Sequence, residues 1–315
     1  MNKFKTLLSL VLSLVLIAMC IVGCSGGNKD FPTKAITIIV PFGSGGGTDL
    51  AARVLAEAAT EILGRPVTVS NVTGGSGTVG TTDVANATPD GYTLIYNASG
   101  PMVTQPHIIE DIAYSLDDFV GIVATHYEPS SIAVGKNSPY QTIGDLVAGG
   151  SVEFGNTGPG TIHQIMQSEF IAQSGVDGKF LPFQGGSALV TALLGGHVQT
   201  LATVPSEYMA YIETGDIRPL AVSSGERLST LPDIPTLKES GYDIDMTLDF
   251  FLLAPKGVPD DVLKTLRDGF TKAAESEKMK NFLDTSNQIY SLRDGDTIMA
   301  KLKSDYDLFE KLIKE

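Results

Sequence analysis

No tryptophan occurs among the 315 residues, histidine occurs four times, and cysteine twice, at Cys20 and Cys24. Each scarcity narrows the chemistry. Cys20 falls within the apolar stretch Leu7 to Ile21, which follows Lys3 and Lys5. That stretch is shorter than the roughly 20 residues a spanning helix needs, and its positive start matches an export signal. Residues 1–23 are therefore expected to leave as a signal peptide, with 24–29 as a linker. Ile21, Val22, Gly23 and Cys24 also fit a bacterial lipobox, so Cys24 is expected to carry lipid and tether the chain outside the cytoplasmic membrane; the plainer alternative is a cleaved signal beside an incidental cysteine. With Cys20 removed, Cys24 stands alone, which excludes an internal disulfide, a zinc–thiolate cluster and a thiol nucleophile.

Basic residues are also scarce. Without Lys3 and Lys5 the chain carries 20 basic against 36 acidic residues, a net charge of −16. No basic run offsets this, so nucleic acid is excluded as a partner. Beyond the signal no apolar run is long enough to span a bilayer, and the body is expected to be soluble. His107, His126, His163 and His197 show no metal-ligand spacing, and no serine sits in a GxSxG turn. No cofactor or metal is expected, and an exported hydrolase would need a nucleophile or metal that the sequence does not display.

Alternating segments fill the rest of the chain. Strand-like runs occur at Ile36 to Val40, Val67 to Ser70, Thr93 to Tyr96, Val120 to Ala124, Ser131 to Val134, Val152 to Phe154, Lys179 to Phe183, Val198 to Ala202, Ile217 to Val222 and Phe250 to Ala254. Helical periodicity marks Asp49 to Leu63, Ile162 to Gln173, Ala188 to Leu194, Ser206 to Glu213, Pro259 to Ala274 and Thr297 to Ile313. Repeated strand, helix, strand order predicts an α/β fold of mixed sheets covered by helices.

Three junctions between strand and helix share one grammar. "VPFGSGGGTDL" runs from Val40 through Gly43, Gly45, Gly46 and Gly47 into a helix that Thr48 or Asp49 is expected to cap, with Leu50, Val54, Leu55 and Ile62 as its apolar residues. "FGNTGPGTIHQIM" passes Gly155, Gly158 and Gly160 into a helix beginning near Thr161, and "FQGGSALV" places Gly185, Gly186 and Ser187 before a third. The first N–H groups of a helix are unpaired and partly positive, so each junction is a candidate anion cradle. A nucleotide phosphate fits poorly: the first loop lacks the Walker lysine, and the GxGxxG at Gly75, Gly77 and Gly80 is weak in a chain of 34 glycines. Any one such loop is more often a structural turn. Two or three in different halves of the chain suggest convergence on one cleft.

In combination, "VPFGSGGGTDLAARVLAEAATEILGRPVTVSNVTGGSGTVG", "PDGYTLI", "GNTGPGTIHQIM", "LPDIPTLKESGYD" and "FLLAPKGVPDDV" resemble the solute-binding receptors of tripartite tricarboxylate transporters, also called Bug receptors. The match runs in register from about Phe31 to the C-terminus. The resemblance implies a periplasmic-binding-protein-like fold of two α/β domains that close on a small carboxylate, and a membrane permease partner of one large and one small subunit. Domain one is expected over 30–126 plus 247–315 and domain two over 127–246, with the ligand cleft between them and the chain a monomer. The resemblance places ligand contacts at Phe42, Gly45, Gly46, Thr48 and Asp49 on the first loop and at Asn156, Thr157, Gly158, Gly160, Thr161 and His163 on the second. Asn97, Ala98 and Ser99 and the loop with Phe183 and Gly185 are expected as walls. Where the family often has Tyr-Lys-Gly this chain has Phe183, Gln184 and Gly185, and "TLDFFLLAP" lacks the family's frequent Trp. No particular substrate is therefore carried over. A sensor passing ligand occupancy to a membrane signalling partner would use the same cleft.

Overall fold

The computed structural model describes residues 31–183 and 185–314. The expected signal peptide, the linker, the lipidation site Cys24 and the wall residue Gln184 lie outside the described residues.

Two mixed sheets organise the chain. The first is built from β1 (Ile36–Val40), β2 (Val67–Asn71), β3 (Thr93–Ala98), β4 (Phe119–Pro129), β10 (Thr247–Pro255) and β11 (Ile289–Asp294), in spatial order β11-β4-β10-β3-β1-β2. The second contains β5 (Ser131–Gly135), β6 (Ser151–Asn156), β7 (Asp177–Pro182), β8 (Thr200–Thr203) and β9 (Ile217–Val222), in order β7-β6-β8-β5-β9. Strands β1, β2 and β3 run parallel, whereas β10 returns antiparallel between β3 and β4. Buried on both faces, β10 reads as the continuous apolar run "FFLLA" rather than as an alternation.

Helix α1 (Gly47–Leu63) packs on the first sheet through small residues. Its buried face is Ala51, Ala52, Leu55, Ala56, Ala58 and Ala59, and methyl-sized side chains let it approach the strands closely. Leu50 and Ile62, expected on that face, are exposed instead, because the alanine stripe turns them outward. No side chain caps its start: the N-cap is Gly46, and Asp49 is used otherwise. The terminus is conventional, with Gly64 left-handed at φ 66° and its N–H bonded to the Thr60 carbonyl. Helices α2 (Thr78–Ala85), α3 (Gly100–Val103) and α4 (Ile143–Ala148) were not marked by periodicity, being short. Helix α5 (Ile162–Ser174) begins as expected, with the Thr161 hydroxyl accepting the Gln164 N–H. α6 (Gly186–Leu194) follows the third glycine loop. The segment expected as one helix from Ser206 to Glu213 is split into a 3-10 turn at Pro205–Glu207 and the short α7 (Met209–Glu213). α8 (Asp260–Ala274), α9 (Glu277–Thr285) and α10 (Gly295–Lys314) complete the chain.

The chain passes from the first sheet to the second at Ser130, between β4 and β5, and returns between β9 and β10. These crossings are tied together. The Ser223 N–H donates to the Ser130 carbonyl at 2.8 Å, and the Met246 N–H to the Ser223 carbonyl at 2.8 Å. One apolar cluster joins both sheets, from Ile95, Met102 and Phe251 through Leu302 and Phe309 of α10 to Ile132, Phe154 and Met166.

Candidate functional site

A cleft of about 570 Å³ lies between the C-terminal ends of β1 and β3, the end of β4, and the loops entering α5 and α6. Both sheets contribute to its walls. Phe42, Gly47, Thr48, Gly74 to Gly77, Ala98, Glu128, Leu248 and Phe250 come from the first; Thr157, Thr161, His163, Gly185, Thr203 and Glu207 come from the second. No lysine or arginine lines it among the described residues.

Two helix starts present unpaired donors here. The N–H groups of Gly47 and Thr48 at α1, and of Ile162 and His163 at α5, have no acceptor among the described residues. The Thr48 and Thr157 hydroxyls likewise have no partner among the described residues. Such groups favour an anion where water is largely excluded.

The loops are held from behind by buried amides and acids. Asp49 is almost fully buried and accepts from the Gly45 N–H at 2.8 Å, Arg53 Nε at 2.9 Å and Asn71 Nδ2 at 2.8 Å. Asn71 Nδ2 also donates to the Phe42 carbonyl at 3.0 Å, so one carboxylate and one amide fix the first loop. Burial opposes ionisation of Asp49, but its bonds from Arg53, Gly45 and Asn71 outweigh that and bring it from 3.8 to about 2. Because its folded pKa is depressed, its stabilisation is present above pH 4 and fades as pH falls towards 2. Asp49→Ala is expected to cost about 2 kcal/mol at neutral pH. Urea titrations should show the gap between wild type and variant closing between pH 4 and 2.

On the second loop Asn156 is the corresponding brace. Its Oδ1 accepts the Gly158 N–H at 3.0 Å, its Nδ2 donates to Gln167 Oε1 at 3.1 Å, and its carbonyl accepts the Phe183 N–H at 2.8 Å. Gly158 at φ 122° and Gly160 at φ 70° supply backbone conformations that side chains disfavour. The Gly160 carbonyl accepts Gln105 Nε2 at 3.2 Å, a bond between segments of the two sheets across the cleft edge. His163 is buried with Nδ1 bonded to the Ser130 hydroxyl at 2.8 Å, and burial pushes it down to about 4, so it is neutral near pH 7.

The sequence profile of the tripartite tricarboxylate transporter family receptors matches residues 51–309. The chain belongs to this receptor family. A UPF0065 protein encoded in the gbd 5′ region of Cupriavidus necator is 32% identical over 258 residues, which cover 80% of this chain and 78% of that protein. A TctC solute-binding protein from Polaromonas, solved without ligand, is 30% identical with a TM-score of 0.77, covering 90% of this chain and 99% of that one. An R. palustris protein solved with adipate is 25% identical with a TM-score of 0.82, covering 90% and 98%. The receptor shares their α/β, periplasmic-binding-protein-like fold and is a solute-binding protein.

Of the residues singled out in its sequence, Phe42, Thr48, Thr157, Thr161, His163 and Gly185 line the cleft. Gly45, Gly46, Asp49, Ser99, Asn156, Gly158, Gly160 and Phe183 do not line it. Ser99 is fully buried and its Oγ accepts the Asp249 N–H at 3.3 Å. Asn97 is also buried, donating to Thr81 Oγ1 at 3.0 Å, while Ala98 reaches the cleft.

Two acidic residues, Glu128 and Glu207, escaped sequence reasoning. Glu128 is 3% exposed near the end of β4, bonded to the Ser206 hydroxyl and to Gln288 Nε2 at 3.1 Å. Burial pushes its carboxyl up to about 8, and nearby Glu207 adds to the effect. Glu207 opens to the cleft on one side and is enclosed by protein on the others, which raises it as well. Its Oε2 accepts the Thr203 hydroxyl at 2.5 Å. It packs against the start of α6, where a Cβ added at Gly186 would stand 2.6 Å from its Oε1. The third glycine junction is thus filled by the protein's own carboxyl. The GxGxxG stretch, a weak nucleotide signal, supplies cleft wall at Gly74 to Gly77.

Proposed function

We propose that this chain is an extracytoplasmic, lipid-anchored receptor that captures a small carboxylate and delivers it to a membrane permease of one large and one small subunit. The observation that carries the reading is the cleft with two opposed helix starts, each with unpaired N–H groups. The family's name and the adipate held by a 25%-identical relative point the same way. In this reading Thr48, Thr157, Thr161 and His163 meet the ligand together with the N–H groups of Gly47 and Ile162, and Phe42 and Gly185 shape the walls. Gly45, Gly46, Asp49, Ser99, Asn156, Gly158, Gly160 and Phe183 hold those donors in place.

The chain would divide into 30–126 plus 247–315 and 127–246, moving about the crossings near Ser130 and Ser223, and ligand would stabilise the closed arrangement by bridging both loops. Lipid on Cys24 would keep the receptor beside its permease.

The test is mass spectrometry of small molecules released from the purified chain, followed by calorimetry with what is found. Thr48→Val and Thr157→Val each remove a hydroxyl that has no partner among the described residues. Each is expected to weaken a carboxylate about tenfold or more, the scale of one charge-assisted hydrogen bond, with folding unchanged. Wild-type affinity in both variants would place the ligand elsewhere.

A further inference from the structure

The cleft is polar in two different senses. Its lining offers donors, the N–H groups at the starts of α1 and α5. It also carries Glu128 and Glu207, with no lysine or arginine among the described lining residues to balance them. A carboxylate ligand alone uses the donors but meets the Glu207 carboxyl, and it leaves Glu128, which burial holds at about 8, protonated and with acceptor positions unused.

The pair is built rather than incidental. Glu128 is held from both oxygens, by Ser206 and by Gln288, and Gln288 in turn packs against Gly47 at the start of α1. Glu207 is fixed by Thr203 through Oε2, leaving Oε1 with no partner among the described residues. A carboxyl can accept about four hydrogen bonds, so both acids keep unused acceptor capacity. His163 supplies an independent sign of a polar occupant: it is 6% exposed, lines the same cleft, and its Nε2 has no partner among the described residues. Being neutral, His163 does not supply the missing positive charge.

We infer that Glu128 and Glu207 form a subsite for a protonated amine, so that the ligand is a small zwitterion whose carboxylate lies at the helix starts and whose ammonium lies between these two acids. The inference rests on the carboxylate-receptor reading and narrows its ligand class. An ammonium has three donors and no acceptor, which suits Glu207 Oε1 and the free positions on Glu128. Its charge also offsets the desolvation that burial imposes on Glu128. The acids then act as a filter, because an ammonium draws both to their ionised form and pairs with them, whereas a ligand with only carboxylates meets like charge at Glu207 and gives Glu128 no cation to ionise against.

Matched pairs that differ only in the amine decide this by calorimetry at pH 7: γ-aminobutyrate against butyrate, β-alanine against propionate, and L-aspartate against succinate. The amine-bearing member of at least one pair is expected to bind roughly 10- to 100-fold more tightly, the range of one or two charged hydrogen bonds. Glu207→Gln is expected to erase that preference while the des-amino partner binds as well or better. Glu128→Gln should act in the same direction, and Glu207→Gln, on the open side of the cleft, keeps the test sound if Glu128→Gln folds poorly. Equal or tighter binding of the des-amino members overturns the amine subsite and leaves the carboxylate receptor standing. Binding of succinate that appears only with added Mg²⁺ overturns it too, assigning the acids to a metal-bridged ligand. No binding by either member of any pair, together with no carboxylate among the molecules released from the purified chain, overturns both readings.

Discussion

Gly121→Ala is expected to destabilise the folded chain by roughly 3 kcal/mol or more, the upper range for overpacking, because the clash is between backbones. Gly121 is the third residue of β4, paired with Leu253 of β10, and its carbonyl accepts Arg267 Nε at 3.0 Å. A Cβ there would overlap the Gly295 carbonyl oxygen and stand 2.6 Å from its carbon and 2.8 Å from its Cα. Gly295 starts α10, and a Cβ on it would overlap the Gly121 carbonyl in return. Neither element can yield: β4 is paired on both sides, and α10 is anchored in the core by Ile298, Leu302 and Phe309. Gly43→Ala is the control, since a Cβ there meets nothing within 4 Å and its φ is ordinary. Urea unfolding should separate the two variants clearly. A Gly121→Ala midpoint equal to that of Gly43→Ala would show that β4 and α10 do not touch.

The consequence reaches the cleft, because β4 also carries Glu128 and leads into Ser130, which holds His163. Its neighbour His126 stacks on Phe250 with ring centroids 4.2 Å apart, and Phe250 is cleft wall. Loosening β4 therefore shifts donors and acids together. A binding loss in Gly121→Ala without a change in its thermal midpoint would contradict that coupling.

Much of this arrangement was legible in the sequence, for reasons that can be named. Ile36 to Val40 lies inside the first sheet, and Ile217 to Val222, although an edge strand, is buried along nearly its whole length, so burial itself wrote the apolar runs. The glycine loops were legible because positive φ at Gly45, Gly158, Gly160 and Gly185 demands the one residue without a Cβ. Strand β11 was not, since "IYSLRD" sits at a sheet edge, half-buried, and carries no clear alternation. The face of α1 was misjudged because alanine weighs little in a hydrophobic pattern, although here it decides which side can approach the sheet. Glu128 and Glu207 were invisible for a different reason. They belong to no motif and stand far apart in the chain; only the return of the second sheet beside the end of β4 brings Ser206 onto Glu128. Asn71, Ser130 and Gln288 were missed likewise, because their roles come from tertiary placement.

Glu128 also provides the strongest expected pH signature. Its carboxyl moves from 4.5 in the unfolded chain to about 8 in the fold, with burial as the main cause and Glu207 assisting against the bonds from Ser206 and Gln288. Over that window the folded chain keeps a proton that the unfolded chain has released. Stability linked to this group is therefore full below about pH 4.5 and declines as pH rises to about 8, by on the order of 3 to 5 kcal/mol. Glu128→Gln keeps the size and the hydrogen-bonding shape of the protonated acid but cannot ionise. Its advantage over wild type should grow steadily between pH 5 and 8 and level off above that, with the difference taken at each pH so that other titrating groups cancel. A cationic ligand reverses the logic, since it favours the ionised carboxylate and should release a proton as it binds. Calorimetry in two buffers of different ionisation enthalpy reads that release directly. A stability difference that stays constant from pH 5 to 9 would mean that Glu128 ionises as it does in water, and would remove it from the dry wall of the cleft.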